Sequence, residues 1–125
     1  MFRRVMYTTL FVRDQGKALA FYTEHFGFVK RADYPGPEGW FLTMGFDGQD
    51  MEVVLSPGTH GQGDASSYPV GPLFLESDDL RKDVERLQAN GVRFVQPAPE
   101  DYPFGVRIEA LDPDGNRLSL RQRRR

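Results

Sequence analysis

The chain contains no cysteine, and its 125 residues include two histidines. The absence of cysteine excludes disulfide bonds, thiolate metal sites and cysteine nucleophiles together. The histidines lie in separate regions. His25 falls in the last turn of a predicted helix, where the helix dipole favours a cation, and His60 falls in a Gly-rich segment. We therefore expect neither a metal site nor a catalytic centre assembled from several histidines.

Long hydrophobic runs and an excess of charge are missing as well. No apolar run approaches the about 18 residues that suggest a membrane-spanning helix, and the N-terminus lacks the pattern of a signal peptide. The formal net charge is −2, which gives no reason to expect nucleic acid. We therefore expect a cytoplasmic protein that binds neither membranes nor nucleic acid. Positive charge is concentrated at Arg121, Arg123, Arg124 and Arg125, which we interpret as a frayed, solvated tail.

Familiar catalytic motifs are also lacking. The sequence contains no Gly-x-Ser-x-Gly nucleophile motif, no P-loop and no dinucleotide fingerprint. Composition instead indicates a globular chain, with 39% hydrophobic and 27% charged residues.

The stretch 71–91 predicts one strand and one helix. Pro72–Glu76 carries apolar and aromatic residues suited to a strand, and the next three residues offer side-chain oxygens for a helix start. Leu80, Val84 and Leu87 recur at the spacing of one helix face. The helix is predicted to end at Gly91 and to lie on a sheet.

The same order of signals occurs near the start of the chain. Tyr7–Arg13 predicts a strand, Asp14 a helix cap and Gly27 the end of that helix. Three further strand-like runs follow each predicted helix. The fold class is therefore predicted as α+β, built from two β-α-β-β-β modules.

The module boundaries follow from composition. The modules are predicted over about 1–57 and 71–125, within a single domain, and a Gly/Pro/Ser-rich linker over 57–71 joins them. The closing turn of the second module is Asp112-Pro113-Asp114-Gly115-Asn116, in which the aspartates are expected to bond the local backbone.

Alternation within the strands predicts which residues face the helices. In the first strand Leu10 and Val12 are expected to meet the helix, and Tyr7 and Phe11 to lie on the opposite face. The face opposite the helices is where a ligand could bind, because two equivalent sheets can curve around a cavity.

These motifs resemble the vicinal oxygen chelate superfamily, which includes glyoxalase I, bleomycin-resistance proteins and extradiol dioxygenases. The matching segments are Leu10–Asp14, Ala20–Tyr22 before Phe26–Phe28, Asn90–Val92, and Asp112–Asn116 before Leu118. The resemblance implies paired modules that form a cup-shaped mixed sheet with helices outside, commonly as a homodimer.

Enzymes of that superfamily hold a divalent metal ion with four side chains, and the resemblance places the corresponding positions at Tyr7, Val54, Pro72 and Ser119. None of the four is a usual ligand, because Val54 and Pro72 have no donor atom and the two hydroxyl groups are poor ligands for these metals. We therefore expect no metal ion and no other cofactor.

A shift of register leaves an alternative open. Moving the fourth strand by two residues would bring Glu52 to the ligand position, because residues two apart share a face. Glu76 and Glu109 are expected on the same kind of face, so a three-carboxylate metal site is conceivable. The competing interpretation is that these glutamates pair with Arg13, Arg107 or Arg117, or are solvated.

The sequence favours a metal-independent protein that binds a small organic molecule in the cup, as bleomycin-resistance proteins do. Aromatic rings would stack on the ligand, and charged groups would orient it. The predicted ligand-binding residues are Tyr7, Phe11, Trp40, Glu52, Phe74, Arg107 and Glu109.

Two alternatives remain open. One is a glyoxalase-like lyase or isomerase, or a dioxygenase, with non-standard metal ligands or with carboxylate acid-base chemistry. The other is a cup filled by side chains, in a protein that pairs with partners and binds no small molecule.

Overall fold

The structure is a computed structural model that describes residues 1, 3–36, 39–57 and 72–124. The chain divides into two compact units, residues 1–63 and 64–125. Nearly all of the predicted linker, including His60, lies outside the described residues. Among the described residues, no helix has the length and apolar character needed to cross a membrane.

The first unit is a four-stranded mixed sheet with one helix. Its elements are β1 (Tyr7–Val12), α1 (Gln15–Phe26), β2 (Val29–Gly36), β3 (Gly39–Gly45) and β4 (Glu52–Pro57). The spatial order is β1-β4-β3-β2, with β1 parallel to β4 and the other pairs antiparallel. The predicted β-α-β-β-β module is therefore confirmed.

The second unit repeats this plan and adds a short strand. Its elements are β5 (Leu73–Glu76), α2 (Leu80–Ala89), β6 (Arg93–Phe94), β7 (Glu100–Tyr102), β8 (Gly105–Leu111) and β9 (Arg117–Arg123). The order is β5-β9-β8-β6, and β7 pairs with β8. The sequence analysis did not predict β7, because prolines close to both its ends are typical of loops.

Both helices begin and end where the sequence signals lie. The Asp14 side chain accepts a hydrogen bond from the Lys17 amide at 3.0 Å, and Gly27 ends α1 with a left-handed φ of 78°. In the second unit, Asp79 accepts from the Lys82 amide at 3.3 Å. Side-chain oxygens thus satisfy amides that a helix start leaves unpaired.

In the first unit, α1 covers one face of the sheet. Leu10 and Val12 of β1 and Leu55 of β4 are buried on this face, together with Tyr22 of the helix. The Gln15 side chain at the helix start donates to the Leu55 carbonyl at 2.8 Å. The predicted alternation in β1 is therefore confirmed.

In the second unit, α2 buries its predicted apolar stripe in the same way. Leu80, Val84 and Leu87 are all buried, as are Ile108 of β8 and Leu120 of β9. A hydrogen bond also attaches the helix start to the last strand, since the Leu80 amide donates to Gln122 Oε1 at 2.7 Å.

The last strand corrects the interpretation of the basic C-terminus. The sequence pattern predicts the closing strand over Arg117–Arg121, but β9 runs two residues further, to Arg123. The Arg124 amide continues the pairing by donating to the Phe104 carbonyl at 2.8 Å. A run of arginines predicts a solvated tail from composition, but ladder hydrogen bonds to β8 hold this segment in the sheet. Arg125 lies outside the described residues.

Substitution of Gly105 by alanine is expected to destabilise the protein by about 2 kcal/mol, because a φ of 146° is costly for residues other than glycine. An added Cβ would also lie 1.9 Å from the Gln122 carbonyl oxygen. Urea denaturation measures the change.

Gly91→Ala is the matched control for Gly105→Ala. Gly91 also has a positive φ, of 83°, but an added Cβ would meet no atom within 4 Å. We expect a loss of about 1 kcal/mol from backbone strain alone. Equal losses in the two variants would contradict the steric argument.

Candidate ligand-binding faces

Each sheet has one face that its own helix leaves uncovered. We call it the helix-free face. In the first unit the register places Tyr7 opposite Glu52, and Phe11 opposite Ser56, on this face. Thr43 shares it, because Thr43 pairs with Val54. The structure thus brings three of the predicted ligand-binding residues, Tyr7, Phe11 and Glu52, onto one surface.

Aromatic rings form one part of this face. The Tyr7 and Phe41 rings meet edge-to-face with centroids 5.8 Å apart, and the Tyr34 and Phe41 rings lie 5.4 Å apart. Tyr7 is 42% exposed and Tyr34 54% exposed. Exposed rings in mutual contact offer apolar area on which a flat molecule can stack.

A polar network around Glu52 forms the other part. Thr43, which is fully buried, donates from Oγ1 to Glu52 Oε1 at 2.6 Å and accepts from the Ala32 amide at 2.9 Å. The Arg31 guanidinium lies 3.8 Å from Glu52 Oε2 and also donates to the Phe46 carbonyl. This carboxylate is thus oriented and neutralised by its own unit.

Trp40 lies away from this group. It pairs with Pro35 and shares the parity of the buried Leu42, which belongs to the side that α1 covers. Its indole N–H donates to Asp33, and the hydrogen bond from Lys30, followed by that from Trp40, lowers the pKa of the Asp33 carboxyl. In β3 the ring on the helix-free face is Phe41, one residue further along.

The helix-free face of the second unit carries the other predicted residues. Ser119 of β9 lies opposite Phe74 of β5 on one side and opposite Glu109 of β8 on the other. Arg107 of β8 lies opposite Arg121 of β9. Phe74, Arg107 and Glu109 therefore share a surface, as predicted from alternation. Phe74 is 60% exposed, so its ring is available for contact.

The glutamates of this face have cationic neighbours. Glu109 Oε2 lies 3.7 Å from the Arg117 guanidinium, and its Oε1 accepts from Gln96 at 3.2 Å. Glu76 Oε2 lies 3.5 Å from Arg123. The sequence analysis left open an ion pair between Glu109 and Arg117, and the structure contains it.

The sequence analysis did not identify Tyr102 and Arg121 as part of this face. The Arg121 guanidinium carbon lies 5.0 Å from the Phe74 ring centroid and 5.2 Å from the Tyr102 ring centroid. Arg107 lies 4.7 Å from the same tyrosine ring. Tyr102 was missed because β7 was not predicted, and Arg121 because its contacts with the two rings depend on how β9 pairs with β5 and β8.

The residues at the expected metal positions do not fit a metal ion. The register places Glu52 opposite Tyr7, on the same face as Val54, which is opposite Thr9. This carboxylate is already bonded to Thr43 and flanked by Arg31, which competes with a cation for its oxygens. Within the described residues, no group of three His, Asp or Glu side chains could hold a metal ion.

Comparison with known proteins identifies the family. Residues 4–120 match the model of the Glyoxalase/Bleomycin resistance protein/Dioxygenase superfamily. The chain therefore belongs to this superfamily, and the resemblance inferred from its sequence motifs is confirmed.

Individual relatives include both binding proteins and enzymes. The crystal structure of TnmS3, described as an antibiotic binding protein from Streptomyces sp. CB03234, has a TM-score of 0.82 and 34% identity, and the match covers 98% of each chain. The protein YetH of Bacillus subtilis (strain 168) is 30% identical over 98% of this chain and 100% of its own length. Lactoylglutathione lyase GLX1 of Arabidopsis thaliana is 30% identical over 97% of this chain but 44% of its own length.

Proposed function

We propose that this protein binds a small, planar organic molecule on its helix-free faces and that it needs no metal ion to do so. The observation that carries the proposal is that two of the four positions of the metal ligands have no donor atom and that the nearby carboxylate is engaged within the chain. Glu52 is held by Thr43 and Arg31, while Val54 and Pro72 offer no ligand atom.

The chemistry of the two faces supports binding over catalysis. Exposed rings supply apolar area at Tyr7 and Phe74, and each face also carries charged groups that can orient a ligand. The likeness to TnmS3, an antibiotic binding protein, extends over 98% of both chains. An antibiotic or a comparable aromatic natural product is therefore the first ligand class to test.

Thermal shift on EDTA-treated protein tests the proposal. The protein is screened against a panel of aromatic antibiotics that includes bleomycin. A ligand at about 100 times its dissociation constant stabilises the folded state by about 2.7 kcal/mol. For a chain of this size we expect the melting temperature to rise by about 10 °C. The proposal fails if every rise requires added Zn²⁺, Ni²⁺, Fe²⁺ or Mn²⁺.

A pair of phenylalanine variants tests the location. Phe74→Leu removes an exposed ring from the helix-free face and should weaken binding about threefold to tenfold, since aromatic contacts contribute about 0.5–1.5 kcal/mol beyond their area. Phe21→Leu makes the same chemical change on α1 and should leave the dissociation constant unaltered. Equal effects on binding would place the ligand elsewhere.

The likeness to GLX1 favours a second candidate, a lactoylglutathione lyase activity. It is tested by measuring formation of S-lactoylglutathione from methylglyoxal and glutathione with each of the same four metal ions present. Turnover above that of the metal-free protein, together with a stoichiometric metal ion that resists dialysis, would replace the binding proposal.

We further propose a cytoplasmic homodimer. The homodimer is what the superfamily resemblance implies, and the cytoplasm is the compartment expected from the sequence analysis. Light scattering on the purified chain determines the mass in solution, and a mass of one chain would contradict the dimer.

A further inference from the structure

Arg121 is fixed in the middle of the helix-free face of the second unit. Its guanidinium carbon lies about equally far from the Phe74 and Tyr102 rings, at 5.0 and 5.2 Å. Its Nε donates to Ser119 Oγ at 2.9 Å, and Nη1 donates to the Tyr102 hydroxyl at 3.2 Å. Two rings and two hydroxyl groups thus hold a planar cation in one orientation.

The other arginines of β8 and β9 on this face have carboxylate partners. Arg107 lies 3.0 Å from Glu100. Arg117 forms an ion pair with Glu109, and Arg123 forms one with Glu76. Arg121 differs, because within the described part of the chain no carboxylate lies within ion-pair distance of its guanidinium. It is a partly buried cation whose partners are neutral.

The geometry leaves a defined set of donors free. A guanidinium carries five N–H groups in a planar fork, and Ser119 and Tyr102 accept from two of them. No described residue accepts from Nη2. A carboxylate or phenolate oxygen at this position would form charge-assisted hydrogen bonds, and an attached aromatic ring could contact the exposed Phe74 ring.

We infer that Arg121 is the anchoring cation for a ligand that carries an anionic oxygen on an aromatic ring, with the carboxylate as the simplest case. Ser119 and Tyr102 are positioning residues, because they orient the guanidinium through hydrogen bonds. The inference rests on the proposed function and adds the charge of the ligand to it.

The test compares two probes that differ in charge. Naphthoate and naphthamide have the same ring and nearly the same shape, and the amide is neutral. Titration calorimetry at low salt should give the wild-type protein an about tenfold to hundredfold preference for naphthoate, the range expected for hydrogen bonds to a charged group. This comparison needs no variant, so it does not depend on the folding of a mutant.

Arginine variants assign the preference to one residue. Arg121→Gln should remove the preference for naphthoate, while Arg121→Lys should keep part of it, because a lysine retains the charge but not the planar fork. Arg123→Gln is the matched control, since Arg123 lies two residues away on the same face and is 83% exposed. It should retain the full preference.

The contrary outcomes separate this inference from the proposed function. Equal affinity of the wild-type protein for both probes would overturn the anionic anchor while leaving the binding of aromatic molecules intact. If Arg121→Gln keeps the preference for naphthoate and Arg123→Gln loses it, the anchor is a different arginine. That result would overturn the inference. The inference would also be overturned if neither naphthoate nor naphthamide binds while the thermal-shift panel yields other binders.

Discussion

Substitution of Tyr22 by alanine is expected to reduce the free energy of unfolding by about 3–5 kcal/mol, the range for removal of a large buried aromatic side chain. Tyr22 is fully buried on the sheet side of α1. Its ring centroid lies 5.2 Å from that of Phe21, 6.1 Å from that of Phe26 and 5.7 Å from that of Phe28. Alanine would leave a cavity that the Phe21 and Phe26 rings of α1 and the Phe28 ring just before β2 cannot readily fill. Equilibrium urea denaturation measures the loss.

Tyr22→Phe is the matched control. It keeps the ring and removes the hydroxyl, so we expect a loss of about 1 kcal/mol, the usual net contribution of one hydrogen bond. A Tyr22→Ala variant that loses no more than Tyr22→Phe would show that the aromatic cluster can close around the missing ring. That result would contradict the expected cavity at Tyr22.

Substitution of Asp112 by alanine is expected to cost about 3 kcal/mol, because buried donors that lose their acceptors cost about 1–3 kcal/mol each. Asp112 is 1% exposed. Its Oδ1 accepts from the amides of Asp114 and Asn116 at 2.9 and 2.8 Å, and its Oδ2 accepts from the Asn116 side chain at 2.8 Å. Loss of these bonds should loosen the turn between β8 and β9. Urea denaturation gives the magnitude, and hydrogen exchange of the β9 amides gives the location.

Two variants control for the Asp112 substitution. Asp112→Asn retains one oxygen for the two backbone amides and should cost about 1 kcal/mol. Asp101→Ala removes an aspartate that is 81% exposed and paired with Arg81, so it should cost less than about 1 kcal/mol. An Asp112→Ala variant as stable as Asp101→Ala would show that the turn does not depend on the buried carboxylate.

Most of the fold could be predicted from the sequence because its signals are local. Each signal acts within a few residues of the chain. Examples are the helix cap at Asp14, the left-handed glycine at Gly27 and the apolar stripe of Leu80, Val84 and Leu87. These signals predicted α1, the end of each helix and the β-α-β-β-β order of both units. The strand β7 was missed because it has only three residues and a proline close to each end, a pattern that is typical of a loop.

The candidate site could be predicted in part. Alternation correctly placed Tyr7, Phe11 and Phe74 opposite the helices, since residues two apart in a strand share a face. The partner of each residue across the sheet was not predictable in this way. The register places Glu52 opposite Tyr7, and it places Val54, the predicted ligand position, opposite Thr9.

The sequence by itself determined the family, the two modules and the absence of cysteine chemistry, because motifs and residue types are properties of the chain. The tertiary structure decided which groups meet. It engaged Glu52 with Thr43 and Arg31, and it held Arg121 between Phe74 and Tyr102. Such contacts join residues 9 to 47 positions apart in the sequence. The pairing of strands in space, which no local pattern encodes, brings them together.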